Sequence, residues 1–181
     1  MKKKMLKVAG IIGIGLIAVF MIFQLYKYWV KKPEIEKLTV VCTTSILASH
    51  VEEIGKDLIE VVSIVPAGMC PAHYDVKPSD ISTMSKASLL VSQGIEPWLD
   101  DLIKASGNKN LKRITVEGST TPFKVIEEIK IIKDALCGVD PENASRYEEN
   151  TQELTNLIKE TAEKIKKKAK ELQVEKYKVI C

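Results

Sequence analysis

The sequence predicts an α/β fold: a four-stranded parallel sheet with flanking helices, followed by a long linker helix, all behind an N-terminal transmembrane helix. Three observations lead there. Short apolar runs rich in β-branched residues alternate with segments of helical periodicity from Leu38 to Val116. An amphipathic stretch of more than thirty residues then follows Asp140-Pro141. Ahead of both, Val8 to Tyr26 is a run of nineteen residues without a charge.

That uncharged run spans roughly 28 Å as a helix, close to the thickness of a bilayer hydrocarbon core. Lys2, Lys3, Lys4 and Lys7 precede it and Lys27 closes it, with Tyr26, Tyr28 and Trp29 at headgroup depth. A cleaved signal peptide needs a shorter apolar core and small residues at the cleavage site. Here the flank is bulky throughout, Phe23-Gln24-Leu25-Tyr26-Lys27-Tyr28-Trp29, and the first cysteine, Cys42, lies too far on to carry a lipid. The expectation is an uncleaved anchor over residues 1–32, in contact with the membrane through residues 5–30. The denser N-terminal lysine cluster places the following domain on the extracytoplasmic side of the cell membrane, as a single-pass protein. Charge divides the same way. Residues 1–37 carry eight Lys against two Glu, whereas the other 144 residues carry 19 Lys and Arg against 22 Asp and Glu. The domain is mildly acidic, which argues against nucleic acid as a partner.

After a short polar linker, Lys31-Lys32-Pro33-Glu34, each element has its own signal. Leu38–Cys42 reads as a strand, and Ile46, Leu47, Val51, Ile54 and Leu58 recur at helical spacing. Ile59–Val65 is a second strand, followed by a loop holding Pro66, Gly68, Pro71 and Pro78. Ser79 is placed to cap a short helix through about Ala87. Leu89–Ser92 is a third strand closed by Gly94, and Pro97 opens a helix that stops near Gly107. Leu111–Val116 is a fourth strand, and a helix runs from about Phe123 to Leu136. Asp140-Pro141 supplies a cap and a first-turn proline for a helix to about Gln173, roughly 50 Å long. Ala144, Tyr147, Thr151, Leu154, Ile158, Ile165, Ala169 and Leu172 form its near-heptad stripe, read as intramolecular packing more readily than as a coiled-coil seam. Tyr177–Cys181 reads as one last strand. The expected organisation is an anchor over 1–32, an α/β binding lobe over 33–137, a linker helix over 138–176, and over 177–181 the first strand of an absent second lobe.

Parallel sheets bind ligands at the carboxyl ends of their strands. Three segments fall there: Thr43-Thr44-Ser45, loop 66–78 and Gly94-Ile95-Glu96-Pro97-Trp98. The middle one holds Gly68-Met69-Cys70-Pro71-Ala72-His73-Tyr74-Asp75. A thiolate and an imidazole three residues apart suit one borderline-soft cation such as zinc. Asp75 or Glu96 would add an oxygen or orient the imidazole. The plain alternative is a proline-rich turn with an incidental Cys and His. His50, the other histidine, reads as a helix-surface or boundary residue, Cys42 as a small buried hydrophobe, and Cys137 as structural. The four cysteines, Cys181 being the last, have no spacing of a disulfide scaffold. No nucleophile elbow, phosphate loop or hydrolytic triad is visible, so the expectation is a protein that is not an enzyme.

A family resemblance joins these pieces. Val40-Val-Cys-Thr-Thr-Ser45, His50-Val-Glu-Glu-Ile-Gly-Lys-Asp57, Val62-Val-Ser-Ile-Val-Pro-Ala-Gly68, Pro78-Ser-Asp80, Gly94-Ile-Glu-Pro-Trp-Leu99 and Asp140-Pro-Glu-Asn-Ala144 with Tyr147 occur in family order. Over residues 38–181 the chain resembles the N-terminal half of the metal-specific solute-binding proteins of ABC importers, the zinc and manganese group with a helical backbone. The resemblance implies a divalent transition metal as bound substrate, zinc being favoured, and an ABC permease as partner. The family's loop is Gly-x-Asp-Pro-His, with the His a metal ligand. Without gaps that Asp is Cys70 and that His is Ala72, so Cys70 and His73 carry over as substitutes. The family's second ligand histidine has no counterpart in Glu117-Gly-Ser-Thr-Thr-Pro-Phe123, and its other ligands belong to the second lobe. Two further readings stand beside the transport one. The long helix would pair with another chain in a non-catalytic, membrane-tethered interaction module, or the lobe would receive a chelated metal such as cobalamin or haem.

Overall fold

The computed structural model describes residues 19–24 and 37–176. The chain divides at Glu36–Lys37 into two units, and every labelled element below belongs to the second. Nine labelled elements follow in order: β1 (Leu38–Cys42), α1 (Ser45–Gly55), β2 (Ile59–Ser63), α2 (Pro78–Lys86), β3 (Leu89–Ser92), α3 (Leu99–Ser106), β4 (Lys112–Thr115), α4 (Pro122–Val139) and α5 (Ala144–Glu171). The sheet has the order β2-β1-β3-β4 with every pairing parallel, as the alternation of strands and helices predicts. The expected transmembrane helix falls mainly outside the described residues, of which 19–24 are helical. Among the described residues no helix is long and apolar enough to cross a membrane. The expected strand over 177–181 also lies outside them.

Side chains along the central strands alternate between two cores. Val40, Cys42, Leu89 and Val91 face Leu47, Val51 and Ile54 of α1 and Ile129, Ile132 and Leu136 of α4. Val41 and Leu90 face Met84 of α2 and Leu99 and Leu102 of α3 on the other side. β3 is buried along its whole length, which explains its unbroken apolar sequence. β4 is an edge, and its outward Lys112 and Arg113 protect it from pairing with another chain.

Helix boundaries correct the expectations in three places. α2 starts at Pro78, with Lys77 rather than Ser79 at the cap position. The Asp80 carboxylate accepts the Lys77 amide at 2.7 Å, so the reciprocal half of a capping box fixes this end. Pro141–Asn143 form a separate 3₁₀ turn, and α5 begins only at Ala144. Asp140 caps no backbone there; its Oδ2 instead accepts the Tyr147 hydroxyl at 2.6 Å and the Asn143 side-chain Nδ2 at 2.8 Å. α4 runs to Val139, one turn longer than its apolar pattern.

The stripe on α5 packs along half of its length. Tyr147, Thr151 and Thr155 are buried, and Leu154 and Ile158 lean on the α1–α4 core. Beyond them, Ile165 and Leu172 are 63% and 56% exposed. Asn150 fastens α5 to α1 by donating to the Ile54 carbonyl at 2.8 Å, one of the last-turn acceptors that α1 cannot satisfy itself.

Asn150→Ala therefore leaves a buried carbonyl without a partner. We expect it to lower stability by about 1–3 kcal/mol in urea unfolding. Asn156→Ala, at an exposed position on the same helix, should change it by less than about 0.5 kcal/mol. Equal effects at the two positions would dismiss the Asn150 contact as a fastener.

Candidate metal centre

The strand order places a topological switch between β1 and β3, because β1 connects onward to β2 on one side and β3 to β4 on the other. The segments leaving these two central strands diverge and open a crevice at the carboxyl edge. Thr43 and Thr44 follow β1 and are buried, with Thr44 Oγ1 accepting the Leu47 amide to start α1. Gln93 to Trp98 follow β3. Glu96 is 93% buried although no cation among the described residues pairs with it: Oε1 accepts the Gln93 amide at 3.1 Å, and Oε2 is buried with no hydrogen-bond partner among them. Thr43 Oγ1 is the second buried, unpartnered oxygen of this edge. Buried polar atoms of this kind are uncommon, and two beside one switch point mark it chemically.

Loop 64–77 rises beside the crevice and is held at defined points. A turn closes with the Met69 amide on the Pro66 carbonyl, and Gly68 supplies its left-handed residue at φ 85°. Cys70 then leads a 3₁₀ turn, Pro71–His73, in which the His73 amide bonds the Cys70 carbonyl at 3.2 Å. The Trp98 indole donates to the Pro71 carbonyl at 2.7 Å, tying this turn to the segment that carries Glu96. Next, the buried Tyr74 ring meets Trp98 at 5.5 Å between centroids, and its hydroxyl donates to Asp80 at 2.9 Å. Burial and the Asp80 carboxylate push the Tyr74 phenol up, so it remains a donor.

Of the residues expected at the site, Cys70 and His73 share this pinned turn, and both are exposed with Cys70 a free thiol. Asp75 is exposed two residues further on. Glu96 stands at the foot of the loop, buried rather than open. Among the described residues, no three His, Cys, Asp or Glu side chains come together as a metal-holding group. Trp98 both packs, on Tyr74, and donates, to Pro71. Cys42 is fully buried and its thiol pushed up by that burial, as a small core hydrophobe should be. Thr43 lies in a segment the sequence placed at the carboxyl edge, whereas Glu128 was not singled out. Glu128 carried a readable signal, a charge on the α4 face that also presents Ile132 and Ala135.

Trp98→Phe keeps the ring and removes the donor. Exchange of the Met69 and His73 amides should then rise roughly fivefold, the equivalent of about 1 kcal/mol. The amides of α2 should be unaffected, since Asp80 still holds its start. Unchanged loop exchange would show that the indole bond does not restrain the turn.

A family model described as zinc-uptake complex component A, periplasmic, matches residues 40–181. The manganese ABC transporter substrate-binding lipoprotein PsaA of Streptococcus pneumoniae is 28% identical, over 97% of this chain and 66% of its own length. The iron ABC transporter substrate-binding lipoprotein MtsA of Streptococcus pyogenes is 29% identical, over 94% of this chain and 61% of its own. The chain thus spans under two thirds of these relatives. Among solved structures, the manganese-bound periplasmic metal binding protein of Candidatus Liberibacter asiaticus superposes with a TM-score of 0.58 at 27% identity, covering 66% of this chain and 52% of that one. The zinc-bound ZnuA-like domain of Streptococcus pneumoniae AdcA shares the fold, with a TM-score of 0.60 at 19% identity over 68% of this chain and 52% of its own. Matched over most of its length, this chain belongs to the ZnuA family of metal-importer solute-binding proteins, which carry substrates and are not enzymes.

Proposed function

We propose that this protein is the membrane-anchored, extracytoplasmic metal-binding component of an ABC-type importer, handing a divalent transition metal to a permease. The observation that carries the reading is the pairing of an exposed thiol and imidazole on one pinned turn with a buried, unpartnered Glu96 oxygen at the switch point below it. Cys70 and His73 supply the soft and borderline donors, with Glu96 as the buried carboxylate and Asp75 as the exposed one. Zinc is the metal we favour, because a thiolate selects it over manganese, which prefers oxygen ligands. Residues 1–32 serve as the anchor, 33–137 as the binding lobe and 138–176 as the linker helix; 177–181 open a second lobe. Two protein ligands leave coordination positions to water or to that lobe, so the lobe alone binds modestly.

The test is competition titration of the full chain with zinc, manganese and iron(II). Cys70→Ala combined with His73→Ala should weaken zinc binding at least about tenfold, and Glu96→Gln should weaken it less. Unchanged zinc affinity in the double variant would remove both ligands from the assignment. Stronger binding of manganese than of zinc by the unaltered chain would overturn the choice of metal.

A further inference from the structure

We propose that Trp98 is the positioning residue of the candidate metal centre: its indole holds the turn that carries Cys70 and His73 against the segment that carries Glu96, so that donors from two separate loops act as one set. The inference rests on the site under Proposed function and adds to it the residue that assembles it.

Trp98 is placed first by its own helix. It stands one residue before α3, whose Leu99 and Leu102 are buried in the core that Met84 and Leu90 share. The Leu102 amide bonds the Trp98 carbonyl at 3.1 Å, and the Leu99 amide bonds the Glu96 carbonyl at 3.3 Å. Glu96 and Trp98 are therefore fixed to the same helix start. The indole makes no capping bond to that helix. It reaches instead to a partner 27 residues earlier in the chain.

Its contacts there fall on the two residues that adjoin the proposed ligands. Nε1–H donates to the Pro71 carbonyl at 2.7 Å, and Pro71 follows Cys70. The ring lies 5.5 Å from that of Tyr74, tilted by 58°, and Tyr74 follows His73. Tyr74 is itself fixed, since it is buried and its hydroxyl donates to Asp80, which also holds the Lys77 amide. Between the two braces the His73 amide bonds the Cys70 carbonyl, so Cys70 and His73 are the ends of one closed turn.

Both donors are exposed, so packing does not hold them and the backbone of the turn sets where they stand. A ring that only packed on Tyr74 would need no N–H. An N–H on the carbonyl of the residue after one ligand restrains that backbone before metal arrives, and such outer partners lower the cost of ordering the ligands. Because the same residue is bound to the Glu96 helix start, it also fixes the soft donors relative to the carboxylate.

Zinc competition titrations of the full chain in detergent micelles test the assignment. Trp98→Phe should weaken zinc binding roughly tenfold. Replacing the indole at this position by benzothiophene, which keeps the shape and lacks the N–H, should do the same and decides the matter if Trp98→Phe does not fold. In a chain carrying Glu96→Gln, the loss on changing Trp98 should be smaller by at least about threefold, because the clamp no longer has a carboxylate to bring to the turn. Cobalt(II) at saturation gives a readout that lost stability does not move: the visible absorption of the bound ion should differ between the unaltered and Trp98-substituted chains as the donors rearrange. Zinc affinity unchanged by the Trp98 variants, an equal loss with and without Glu96, or identical saturated cobalt spectra would each overturn the role of Trp98. Zinc affinity unchanged in Cys70→Ala with His73→Ala would instead defeat the ligand assignment under Proposed function. If that double variant loses zinc and the Trp98 variants keep it, the assignment stands and the positioning role falls.

Discussion

The pairing of β1 with β3 is the constraint from which the rest of the molecule follows. Both strands are central, and the register Val40↔Leu89 to Cys42↔Val91 buries both of their faces. A strand covered on both sides must be apolar throughout, and the chain must leave it at its ends. β1 then turns toward β2 and β3 toward β4, so the departing segments separate. The crevice is a consequence of strand order, and it exists before any side chain at its rim is chosen. The chemistry sits on the residues immediately after these strands: Thr43 after β1, and Gln93 and Glu96 after β3. Rigid strands carry a site more accurately than loops do, and the loop above this one is braced from the same segment, through Trp98.

Much of this could be read from the chain itself, because the relevant signals are local. Period-two and 3.6-residue apolar patterns gave the strands and helices, and Gly94 and Gly107 marked where β3 and α3 stop. Cys70 and His73 were visible because their spacing is a property of the sequence. The hidden parts are those in which a side chain answers to a distant partner. Asp140-Pro141 reads as a helix start, yet the carboxylate is taken by Tyr147, a fully buried ring whose position depends on α4 and α5 meeting. Ser79 reads as a cap, yet Asp80 takes the Lys77 amide. Glu96 was legible as a candidate at a strand end and Glu128 as a charge on an apolar helix face, but the burial of either depends on elements that meet only in the fold.

The buried carboxylates also divide the labour of the edge. Each uses one oxygen to hold a backbone amide of its own or the next loop, Gln93 for Glu96 and Ser119 for Glu128. Each keeps the other oxygen unpartnered. The first oxygen accounts for the residue structurally, since a charge-assisted bond to an amide fixes a turn. The second has no structural account. Glutamine in either place could accept the same amide through a weaker, neutral bond and would bury no charge.

The coordination chemistry decides how complete such a site is. A thiolate, an imidazole and a carboxylate form a reasonable zinc set, but here they do not converge as a closed cage. Cys70 and His73 are exposed on their turn, while Glu96 is buried. The same incompleteness shows on α5, whose stripe is covered from Tyr147 to Ile158 and bare at Ile165 and Leu172. The open turn of Cys70 and His73 is polar and the exposed far half of α5 is apolar, so the two are different kinds of deficit.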